Sequence, residues 1–136
     1  MIRPPCSFWP APMVRARVRF SDPVGAKLRF LEDAFESGYE VTLFFMGLES
    51  PELSAKRVGA RVKAGGHDVP TDKLMARYGR TLDNLERAVP RLPRIVVYDN
   101  SSYREPYRLL GEFRSGVWAP APGAPKVAWF ERFVGG

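Results

Sequence analysis

Arg57, Arg61, Arg77 and Arg80 flank a glycine pair, Gly65-Gly66, in the stretch RVGARVKAGGHDVPTDKLMARYGR. A guanidinium is planar, permanently charged and forked, and it matches phosphate oxygens two at a time. Glycine accepts backbone angles that other residues resist, so the pair makes a hinge. A hinged, arginine-bearing helical hairpin is what a lid over nucleotide phosphates requires. A solvated hairpin with a basic face uses the same residues, and both readings stand. A second polar group, Asp99-Asn100-Ser101-Ser102, follows the apolar run RIVVY. In open α/β sheets ligands collect at the carboxyl ends of strands, although Asp, Asn and Ser are also ordinary turn residues. A third group is Arg15, Arg17 and Arg19, alternating with Val14, Ala16, Val18 and Phe20. That alternation predicts a half-buried strand with a positive strip. It suits nucleic acid, and equally an edge strand that turns its arginines to water. The strip has no interleaved aromatics of the kind single-strand binders use, which disfavours nucleic acid.

Other chemistries are poorly supplied. His67 is the only histidine, so a nucleophile–histidine site would have to pass through it. In the lid turn, a structural role for His67 and Asp68 is expected, with Asp68 capping the turn. Cys6 is the single cysteine and excludes an internal disulfide, so a reducing, cytoplasmic setting is expected. No metal site is expected. The 136 residues suit one domain, 45% hydrophobic content is enough for a core, and 26% charged residues is ordinary. The net charge of +6 favours an anionic partner without choosing one. No apolar run approaches the roughly 20 residues of a membrane span, and MIRPPCSFWPAP lacks the apolar core of a signal peptide.

The elements that must position these groups follow in order. Ser21-Asp22-Pro23 is a helix start, and Leu28, Leu31, Ala34 and Phe35 recur at helical spacing before Gly38. EVTLFFM, residues 40–46, is an almost continuous apolar run and predicts a central parallel strand covered on both faces. Ser50-Pro51 starts a helix running to about Ala64, with Leu53, Val58 and Val62 inward and Arg57 and Arg61 one turn apart. Thr71 to Val89 carries the stripe Leu74, Met75, Tyr78, Leu82, Leu85 and Val89, with Arg77 and Arg80 on one side. RIVVY is a second buried-type strand. RLLGEFR and Val117-Trp118 around Ser115-Gly116 predict a hairpin. A Pro-rich spacer leads to KVAWFERFV, a short helix packing Trp129, Phe130 and Phe133. Strands alternating with helices predict an α/β layered fold.

From FSDPVGAKL at Phe20 to about Phe113 the chain resembles the zeta-toxin-like P-loop kinases, over about two thirds of its length. The motifs that carry the resemblance are GYEVTLFFMGLESPELS, RV-x-x-RV-x-x-GGHDVP, ARYGRTLDNL and YDNS. The resemblance implies an ATP-dependent kinase that moves a γ-phosphoryl group to a small-molecule hydroxyl, with ATP and Mg²⁺ in the intact family. It matches Arg61 and Arg77 to lid arginines that brace the transferring phosphoryl, with Arg80 as a third catalytic candidate. It puts Asn100 where such kinases line the adenine pocket, and leaves Arg57 as a further nucleotide contact. The implied fold is a partial P-loop NTPase-type parallel sheet with flanking helices and a helical lid, lacking the P-loop strand and helix. Relatives in this family act as toxins, so an antitoxin is an expected partner.

The departures are large. No G-x-x-x-x-G-K-[ST] occurs in the 136 residues. No backbone amides of that loop cradle a β-phosphate, no lysine reaches the γ-phosphate and no hydroxyl holds Mg²⁺. The family's aspartate after the second strand is missing, and Arg17 and Val18 stand where relatives carry Glu-Thr. Residues 1–19 are rich in Arg, Pro, Ala and Val, as GC-rich DNA read out of frame tends to give. The expected organisation is therefore a non-family or frameshifted segment 1–19, a truncated kinase domain 20–114 and a tail 115–136. The expected activity alone is weak or absent ATP binding and no transfer. A complementing chain would supply the missing strands, since EVTLFFM otherwise lacks a neighbour and has an uncovered face. The alternatives are a small basic nucleic-acid-binding module and a gene remnant without function.

Overall fold

A computed structural model describes Phe20, residues 25–63, Gly65 and residues 71–134. The strand expected at 14–20 lies outside the described residues except for Phe20. So do the helix start Ser21-Asp22-Pro23 and most of the lid turn, Gly66, His67, Asp68 and Pro70 among it.

The chain is α/β, with a four-stranded mixed sheet and flanking helices. Helix α1 (Ala26–Glu36) begins after Gly25 without a side-chain cap. It leads to strand β1 (Thr42–Gly47). Helices α2 (Pro51–Lys63) and α3 (Thr71–Ala88) follow. They form the crossover that a parallel neighbour requires, and β2 (Arg94–Asp99) then pairs parallel to β1, with Phe45 opposite Val97 and Gly47 opposite Asp99. Strands β3 (Arg108–Arg114) and β4 (Val117–Pro120) add an antiparallel hairpin on the far side of β2. The sheet order is β1-β2-β3-β4. The two apolar runs thus give the parallel pair, and the hairpin makes the sheet mixed rather than all-parallel. The hairpin turn is two residues long, with positive φ at both Ser115 (49°) and Gly116 (82°), the combination a two-residue primed turn demands. A 3-10 turn, Ala128–Phe130, and a short helix α4 (Glu131–Val134) end the described chain, as the spacing of KVAWFERFV predicts.

One sheet face makes the core. Phe45, Ile95, Val97 and Phe113 pack with Leu28 of α1 and with Leu82, Leu85 and Ala88 of α3. Trp129 and Phe130 join the same cluster, and Arg132 ties the tail to α3 through Asp83 (3.2 Å) and Glu86 (2.9 Å). Phe20 packs edge-on against Phe45, and its carbonyl accepts the Asn84 side-chain amide at 2.8 Å. The opposite face differs from the continuous burial that EVTLFFM predicts. Phe44 is 55% and Met46 45% exposed, because only the Phe45 side of β1 meets the core, and among the described residues β1 is the outermost strand rather than a central one. An unbroken apolar run cannot report this, since it carries no alternation to distinguish one covered face from two.

Candidate functional site

The parallel pair brings the loops after β1 and β2 together at their carboxyl ends. The Asn100 amide donates to the Gly47 carbonyl at 2.8 Å, extending the β1–β2 ladder by one bond. Ser50 caps α2 by accepting the Leu53 amide at 3.2 Å, the role its position before Pro51 predicts. From α3, the Tyr78 hydroxyl donates to the Leu48 carbonyl at 2.9 Å. Burial first, and then the charges of Glu52 and Glu49, push the Tyr78 hydroxyl above its ordinary range, which keeps it a donor.

Asp99 anchors the second loop. Its side chain is 1% exposed and accepts hydrogen bonds from Ser101 Oγ (2.6 Å), Arg108 Nη2 (2.8 Å) and Trp129 Nε1 (2.9 Å). Burial pushes its carboxyl up, but those three donors and the charge of Arg108 outweigh burial and hold it below the usual carboxylate range. Trp129 is seated by Gly47, where a Cβ would overlap its indole ring. The rest of the loop is tied to itself. Asn100 Oδ1 accepts the Tyr107 amide at 3.2 Å, and Tyr107 takes a left-handed φ of 54°. Ser102 Oγ accepts the amides of Arg104 (3.1 Å) and Glu105 (3.3 Å).

Arg57 reaches this loop from α2. Its guanidinium donates to the Ser101 carbonyl at 3.2 Å and lies 4.7 Å from the centroid of the Tyr103 ring. Its Nε is buried with no partner among the described residues. Of the sequence-predicted site residues, the structure therefore joins Arg57 to the loop that begins at Asn100. Asn100 braces that loop through Oδ1 and its backbone amide. Arg77 and Arg80 are half-buried on α3, either side of Tyr78. Arg61 follows Arg57 by one turn of α2, but its side chain lies outside the described residues.

Asp99, in the polar group expected at the carboxyl end of RIVVY, is the buried last residue of β2. Two further residues are not indicated by the sequence pattern. Trp129 looked like plain core and is Asp99's donor. Tyr103 was not singled out; its place beside Arg in Tyr103-Arg104 was the available signal.

Among the described residues no group of three or more His, Cys, Asp or Glu side chains is placed to hold a metal ion. Nor is any described helix long and apolar enough to cross a membrane. No family model, curated protein or solved structure matches the chain.

Proposed function

We propose that the chain is the lid-bearing, carboxyl-terminal half of a zeta-toxin-like ATP-dependent kinase domain, in a form that binds ATP weakly and transfers no phosphoryl group by itself. The observation that supports this most is Arg57. It crosses from α2 to the loop after β2, at the carboxyl ends of two parallel strands, where α/β sheets take ligands. Arg61 is one turn further along α2, and Arg77 and Arg80 lie on α3, so both helices of the expected lid carry guanidinium groups. In this reading Arg61, Arg77 and Arg80 brace phosphate oxygens and Arg57 holds the base-side loop. The proposed partners are a nucleotide, a small-molecule acceptor, and an antitoxin or a complementing chain that carries a phosphate loop.

The residues at the site do not fit Mg²⁺. The one buried carboxylate there, Asp99, is already filled by Ser101, Arg108 and Trp129, and no acidic cluster accompanies it among the described residues. The sequence also supplies no phosphate loop. No transfer step is assigned to these residues for that reason. The test combines two measurements on the isolated chain. Titration with ATP should give weak, saturable binding, and a phosphate-release assay with Mg²⁺ should stay at background. Robust hydrolysis would contradict the proposal, as would ATP binding that leaves the 100–107 loop unperturbed in nuclear magnetic resonance spectra.

A further inference from the structure

The loop between β2 and β3 has a property that the ATP reading does not use. Tyr103 is 77% and Tyr107 58% exposed, yet both belong to a loop that is held in place at several points. Asn100 fixes the Tyr107 amide, Ser102 fixes Arg104 and Glu105, and Arg57 fixes Ser101. Exposed tyrosines on an ordered backbone lose little further freedom when something stacks on them. Tyr103 already has the Arg57 guanidinium over its ring at 4.7 Å, and most of its surface remains open to solvent. The local sequence repeats the pair, Tyr103-Arg104 and Tyr107-Arg108. Arg108 is committed to Asp99 and Glu105, so its charge is largely satisfied within the protein. Arg104 is exposed. The whole chain carries a net charge of +6.

We infer that the 100–107 loop is a binding platform for single-stranded nucleic acid, with a base stacked on Tyr103 and a phosphate met by Arg104. Aromatic rings interleaved with cations are the combination that sequence-tolerant single-strand binders use, because every base has a π-face and every nucleotide a phosphate. A duplex hides its base faces in the stack and gains only the charge contribution. The platform shares its loop with the base side of the proposed ATP site, but it needs neither a phosphate loop nor ATP, so single-strand binding measured without ATP fails or succeeds separately from the kinase reading.

The test is fluorescence anisotropy with labelled oligothymidylate and oligouridylate of about 20 nucleotides. A duplex of equal length is the control, and ATP is omitted. Both single strands should bind at low salt and more tightly than the duplex. Affinity should fall with a negative slope of log K against log salt. Tyr103→Ala should weaken binding by about tenfold without changing that slope, and Tyr103→Phe should restore it. Arg104→Ala should reduce the slope by about one unit. Tyr103 is mostly solvent-exposed, and unchanged circular dichroism of its variants checks that folding is intact. Absence of single-strand binding at low salt overturns the inference. So does equal binding by wild type, Tyr103→Ala and Tyr103→Phe, which leaves only general attraction between a basic protein and an anion.

Discussion

Asp99 holds a carboxylate in a place almost without water, so its charge depends on three protein donors rather than on solvent. Its lowered pKa fixes the sign of the pH dependence. The unfolded chain takes up the proton first as pH falls, so Asp99 contributes stability above the ordinary carboxylate range, about pH 4. That contribution is lost as pH falls through the lowered folded value. Asp99→Asn keeps the size and removes the charge, leaving Arg108 with a weaker partner. We expect it to cost about 2 kcal/mol at pH 7 and to flatten the acid side of the stability curve. Urea titrations of both proteins between pH 3 and pH 7, on the order of the carboxylate range, check this; parallel curves would exclude the assigned role. The sequence marks Asp99 at the end of a strand but not its burial, because its partner Trp129 lies thirty residues later and on another element. Arg57 was legible as a cation near a hinge, but its contact with Ser101 depends on how α2 packs, which spacing does not encode.

At the scale of elements, the strands and helices were largely readable. EVTLFFM and RIVVY give β1 and β2, the stripe from Leu74 to Val89 gives α3, and Ser50-Pro51 marks the start of α2. What local pattern left open was how many faces of each strand are covered, and that the tail returns to the end of β1. Gly47 makes that return feasible. Gly47→Ala places a methyl group inside the Trp129 ring position, so the indole must move and its bond to Asp99 must weaken. The expected cost is about 1–3 kcal/mol of stability, as for overpacking generally. A change in tryptophan fluorescence and near-ultraviolet circular dichroism should accompany it. An unchanged spectrum and unchanged stability would contradict the packing described. The hairpin offers a change of opposite sign. Ser115 holds φ at 49°, which asparagine tolerates better. Ser115→Asn should stabilise the chain by about 0.5 kcal/mol, read as a higher thermal midpoint.

At the scale of the molecule, one sheet face is packed and the other carries exposed Phe44, Met46 and Leu109 beside Tyr98. Among the described residues, strand β1 is the edge of the sheet, and it bears no charged side chain between Thr42 and Gly47. Edges of that kind promote association. Phe44→Lys should therefore reduce self-association in sedimentation velocity while the protein remains folded, and increased aggregation would count against this account. The fold class was legible because alternating strands and helices leave few other arrangements; the kinase reading came from motifs, and its physical support is the position of Arg57. The most direct test is a calorimetric ATP titration of the wild-type chain beside Arg57→Ala, with phosphate release followed in parallel. The account predicts weak binding by the wild type, at least fivefold weaker binding by the variant (about 1 kcal/mol), and no phosphate release from either. Equal binding by the two proteins, or steady turnover of ATP by the wild type, would contradict it.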